Sequence, residues 1–170
     1  MERRSVMTAA MTASIGLIGG AAMGIANAAD GNSFEKSIVW MPLAKGVTPS
    51  LCIDSMKTQA DTVNMKQVGE LPLSKQVELM LGEKQLLTTV FMFCNPLTAV
   101  KMVKANYAFG AYLPCRIVLL EPKPGEYGVV MLNLQPLIDQ IPKNSPLLKD
   151  AQSVNDSLTS IMTAGANGSL

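Results

Sequence analysis

From Gln85 to Cys94 the chain is apolar on both sides of a strand's alternation, and this segment restricts the fold more than any other. Thr88, Val90, Met92 and Cys94 share one face, and Leu87, Thr89, Phe91 and Phe93 share the other. A strand apolar on both faces belongs inside a sheet, not at its rim.

The flanking segments supply the rest of the architecture. Ile38, Val39 and Trp40, within 35–41, predict a first strand. Thr48 as a cap with Pro49 in the first turn predicts a helix, along which Cys52, Met56, Ala60 and Val63 form one stripe. Met65 to Leu71 reads as a strand weakened by Gly69, and Ser74 to Leu81 as a brief helix stopped by Gly82. Asn95 and Pro96 open a helix reaching Asn106, with Leu97, Val100, Met102 and Val103 available for burial.

A loop from Tyr107 to Pro114 then leads to two strands, Cys115 to Glu121 and Tyr127 to Asn133. The turn-rich Pro122-Lys123-Pro124-Gly125-Glu126 between them suits an antiparallel hairpin. Gln135 to Ile141 predicts a short helix. Ser145 and Pro146 start a last one, striped by Leu147, Ala151, Val154, Leu158, Ile161 and Met162 and expected to fray from Gly165. Strands and helices in this order predict an α+β domain, an antiparallel sheet covered by helices on one face. With 170 residues, 48% of them hydrophobic, the chain suits one core and leaves too little for a second domain.

Residues 1–28 read as a secretory signal peptide. Arg3 and Arg4 give the positive start, an uncharged Ala/Gly/Met/Ile run follows, and Ala26-Asn27-Ala28 is a small-x-small cleavage site. The run from Ser5 to Ala29 is long enough to span a bilayer, but it is too rich in Gly and Ala and too poor in Leu for an anchor. The paired arginines also fit a twin-arginine export signal, and the general route fits equally. Cleavage after Ala28 leaves residues 29–170 as a single periplasmic or secreted domain with 12 basic and 12 acidic side chains.

The absence of histidine removes Ser-His-Asp and Cys-His catalysis, His-ligated zinc and proximal-His haem, because each needs an imidazole. A net charge of +1 without an Arg- or Lys-rich block gives no footprint for a phosphate backbone, so nucleic acid is not an expected partner. No glycine-rich phosphate loop, Cys-x-x-Cys or paired-carboxylate couple stands out, and Asp54, Asp61, Glu78 and Asp150 are expected to decorate solvent-facing helix surfaces.

Cys94-Asn95-Pro96, a helix, and then Leu113-Pro114-Cys115-Arg116 opening a strand resemble the pattern of the domain of unknown function 302 family. The resemblance covers roughly 48–141. It implies a small α+β fold likened to TATA-binding protein, a curved antiparallel sheet with packed helices, and carries no implication of DNA binding. The chain departs from the pattern in its signal peptide, in the region from Gly69 to Gly82, in a C-terminal helix at about 146–163, and in the separation of Asn133 from Pro136.

Cys94 closes one strand and Cys115 opens another, so their thiols are expected to meet at one edge of the sheet. In an oxidising compartment the simplest outcome is a structural disulfide or two buried hydrophobes, with Cys52 left over. The sharper alternative is a redox or thiol-exchange pair, its thiolate stabilised by Arg116 and by the helix start after Asn95. Arg116, the only arginine beyond the signal peptide, could instead clamp an anion at that helix start. A third reading gathers Met92, Cys94, Cys115 and Met131 as a soft Cu(I) site. Tyr107, Phe109 and Tyr112 are candidates to line an apolar cleft beside the cysteines.

The sequence therefore predicts an exported, non-catalytic binding or accessory module centred on Cys94, Asn95, Cys115 and Arg116. No cofactor is favoured, the partner is an unidentified small molecule or periplasmic protein, and the membrane is met only during export. The alternatives are a thiol-dependent redox protein and an assembly protein that docks through its last helix, separable by truncation after Lys143.

Overall fold

Two side-chain caps set the helices that frame the sheet. Thr48 Oγ1 accepts the Leu51 N–H at 3.2 Å and starts α2 (Pro49–Thr62), and Asn95 Oδ1 accepts the Thr98 N–H at 3.1 Å and starts α4 (Pro96–Ala105). The computed structural model describes residues 31–169, so the signal peptide and its cleavage site lie outside the described residues. The chain begins with α1 (Gly31–Lys36) and β1 (Ile38–Pro42), so Glu35 and Lys36, expected to open the first strand, end a helix instead. After α2 come β2 (Lys66–Leu71), α3 (Leu73–Leu81) and β3 (Thr88–Cys94). Beyond α4 lie a 3₁₀ segment (Tyr107–Tyr112), β4 (Cys115–Lys123), β5 (Glu126–Leu132), α5 (Gln135–Ile138) and α6 (Leu147–Asn167).

The five strands form one antiparallel sheet in the order β1-β5-β4-β3-β2, with β3 inside it as its two apolar faces require. Alternation sends Phe91 and Phe93 of β3, Ile117 and Leu119 of β4, and Val129 and Met131 of β5 to one face, where all are buried. Over that face lie Cys52, Met56 and Ala60 of α2 and Leu158, Ile161 and Met162 of α6. Each fully buried side chain of this size contributes about 1.5–3 kcal/mol, so this layer dominates the stability.

α6 differs from the sequence reading at its end. It stays helical through Asn167, with Ala164, Gly165 and Ala166 buried, because small residues there let it approach α2 closely. A Cβ on Gly165 would lie 2.5 Å from Met56 Cγ and 3.2 Å from Cys52 Sγ. The helix then closes on Gly168 at φ +63°, with the Ser169 N–H donating to Ala164 O at 3.0 Å. With its stripe in the core, α6 is part of the domain's own packing, so truncation after Lys143 would open that core.

α4 also departs from expectation. Leu97 and Val100 are 86% and 54% exposed, and the helix buries no residue. Of the carboxylates assigned to solvent, Asp61 stays exposed beside Lys66, whereas two are drawn into the structure. Glu78 Oε1 accepts the Gln85 N–H at 2.9 Å, and Asp150 Oδ2 is shut off from water beside the Lys101 ammonium at 2.5 Å.

Candidate functional site

The C-terminal end of β3 and the start of β4 meet at one end of the sheet, with Phe93 paired to Cys115. Cys94 and Cys115 line the same cavity there, of about 60 Å³. α4 contributes Ala99 and Met102, the 3₁₀ segment Phe109 and Tyr112, and the floor is closed by Leu134, Leu137, Ile138 and Ile141 around α5. Ala151 and Val154 of α6 and Met65 complete a lining that is almost wholly apolar.

Asn95 holds this end together. Besides capping α4, its Nδ2 donates to Asn64 O at 3.2 Å, at a residue with φ +55°, so the turn before β2 is tied to the start of α4. Its polar atoms are engaged in structure, and its Oδ1 occupies the helix start proposed for an anion. Asn133 plays a matching part on the floor, its Oδ1 accepting the Gln135 N–H at 3.1 Å and its Nδ2 donating to Lys36 O at 3.0 Å. The Leu113–Pro114 peptide bond, just before Cys115, is cis.

All three cysteines are free thiols, so of the two outcomes expected for Cys94 and Cys115, a disulfide or two small hydrophobes, the disulfide does not form although both residues line one cavity. Burial pushes the Cys115 thiol up to about 11, neighbouring Cys94 pushes the same way, and Arg116 opposes them with a smaller effect. Desolvation also raises Cys94 and pushes Cys52, packed between α2 and α6, up to about 11. Neutral thiols lining an apolar cavity behave as small hydrophobes, because the desolvated anion that nucleophilic or redox chemistry needs is disfavoured.

The other expected members of the site separate. Arg116 pairs with Met92 and is exposed, one position out of step with buried Ile117, so it belongs to the opposite face of the sheet from the core. It borders a smaller cleft of about 30 Å³ together with Tyr112, Cys115 and Met131. Met92 and Met131 lie on opposite faces by the same alternation, so the four sulfur ligands proposed for Cu(I) do not converge. Among the described residues no group of three or more His, Cys, Asp or Glu side chains could hold a metal. Phe109 and Tyr112 line the cavity as expected, whereas Tyr107 is 88% exposed and does not.

The sequence reading missed the floor. Leu134, Leu137, Ile138 and Ile141 recur at helical spacing, which is the signal that marks them as one face.

The comparison with curated proteins yields no match. Among solved structures the chain is similar to the crystal structure of an uncharacterized conserved protein, DUF302, from Bacillus stearothermophilus. The two share 16% identity and a TM-score of 0.61, over 75% of this chain and 96% of that one, a likeness of fold. A family model for the domain of unknown function DUF302 matches residues 45–165, a span that takes in both cavity cysteines and most of α6. The chain belongs to the DUF302 family.

Proposed function

We propose that this protein is an exported binding module that takes up a compact apolar molecule, of aromatic-ring or short-alkyl size, between the end of the sheet and α4. The export half of the reading rests on the signal-like residues 1–28. The binding half rests on one observation: an apolar cavity roofed by two segments, α4 and Tyr107–Tyr112, that bury no residue of their own. A cavity of about 60 Å³ is smaller than the roughly 150 Å³ that holds benzene, so a ligand enters only as the roof shifts outward. Such a shift breaks few buried contacts. Burying roughly 150 Å² of ligand surface contributes about 4 kcal/mol, from which the costs of association and of moving the roof are subtracted, so the Kd is weaker than about 1 mM.

Toluene serves as the probe. Saturation-transfer NMR on the folded protein should show toluene contact that is lost in Ala99→Trp, a substitution that fills the cavity from α4. The reading fails if toluene shows no transfer to the wild-type protein, or if a folded Ala99→Trp variant binds it equally well.

A further inference from the structure

The second face of the sheet carries a different feature. Leu71, Val90, Val118, Val130 and Trp40 stand in register and make one apolar row across all five strands. The rows on either side are also apolar except for Thr88 and Arg116. None of the row's side chains is buried, and Trp40 remains 41% and neighbouring Leu132 46% exposed. Antiparallel sheets with one solvated face normally alternate to polar residues there, and this one does not. An apolar patch of this extent marks an interaction surface.

We propose that this face is the interface of a homodimer, two sheets packed face to face about a two-fold axis lying along that row. Five strands about 4.8 Å apart and about six residues at 3.3 Å rise make a face of roughly 500 Å², so two faces in contact bury on the order of 1,000 Å², where specific interfaces begin. Charge selects the axis. β4 is the central strand, so an axis parallel to the strands would set the two Arg116 cations against each other. An axis along the row sends them to opposite ends of the interface, and Arg116 is then no obstacle to a second copy. A single cation is too little for a nucleic-acid backbone. Self-association of one self-complementary face is the ordinary isologous arrangement.

Trp40, the only tryptophan in the chain, sits on the face and reports its solvation. Sedimentation equilibrium of the folded domain should give a dimer, and dilution to monomer should red-shift the Trp40 emission. Val118→Lys, at the centre of the row, and Leu132→Lys, beside it, should each shift the equilibrium to monomer with the far-ultraviolet dichroism of the parent. A monomer at every concentration up to the millimolar range overturns the proposal. So does a dimer that both folded variants retain, or a monomer that instead binds duplex DNA or lipid vesicles through the same residues.

Discussion

The Lys101 ammonium lies 2.5 Å from Asp150 Oδ2, joining the roof helix α4 to the first turn of α6 next to the cavity-lining Met102 and Ala151. The carboxylate oxygen is shut off from solvent, and it sits where the α6 dipole also favours negative charge. Lys101→Met removes the counter-charge and leaves that oxygen uncompensated, and should lower stability by about 1–2 kcal/mol in urea unfolding. Lys101→Met combined with Asp150→Asn should recover most of the loss, since no buried charge is then left alone. If the pair latches the roof, Lys101→Met should also speed amide exchange in α4 ahead of the sheet.

Gly165 is required by packing. A methyl there meets Met56 Cγ, Cys52 Sγ and the Cys52 carbonyl in one place, so Gly165→Ala must push α6 off α2. A loss of about 1–3 kcal/mol is expected from overpacking, read as a lower melting temperature. Gly110→Ala, where nothing lies within 4 Å, should be close to neutral and serves as the control.

The thiols set an alkaline limit. Cys52 and Cys115 each hold their proton to about 11 in the folded protein against an ordinary 9.0. The unfolded chain therefore releases these protons first as pH rises, and unfolding becomes more favourable. Their contribution is fully present below pH 9.0 and lost as pH climbs through about 11. Urea midpoints should fall across that window, and fall less in Cys115→Ser measured against its own value at pH 7. Because no disulfide is present, dithiothreitol should leave the melting temperature unchanged at neutral pH.

Glu121 closes the hairpin end. Its carboxylate accepts the Gly125 N–H at 2.7 Å and the Leu87 N–H at 3.2 Å, and these bonds hold its pKa below the ordinary 4.5. The group favours the folded state above the unfolded pKa, and that contribution is lost as pH falls through the folded one. A carboxyl carbon titration by NMR should place its midpoint under 4.5, and Glu121→Gln should broaden the Gly125 amide resonance.

Much of this protein is written locally. Thr48-Pro49 and Asn95-Pro96 start α2 and α4, Gly82 ends α3, and the Pro124-Gly125 turn joins β4 to β5. Each depends on a residue's own hydrogen bonds or φ preference, so each is legible without neighbours. The alternation in Thr88–Cys94 places that strand inside the sheet for the same reason. The sequence could also bring Cys94 and Cys115 to one end of the sheet, because a strand, a helix and a return strand leave little choice.

What those residues do there was decided only in three dimensions. One step of alternation puts Arg116 and Met92 on the face opposite Met131, and separation along the chain does not record that step until the register is set. Leu97 and Val100 have core-like chemistry but lie outside, because α4 packs through Ala99 and Met102. Whether a thiol is a nucleophile or a hydrophobe, and whether a glycine is a helix end or a helix contact, depends on what lies within a few ångströms. For Cys115 and Gly165 those neighbours come from distant parts of the chain.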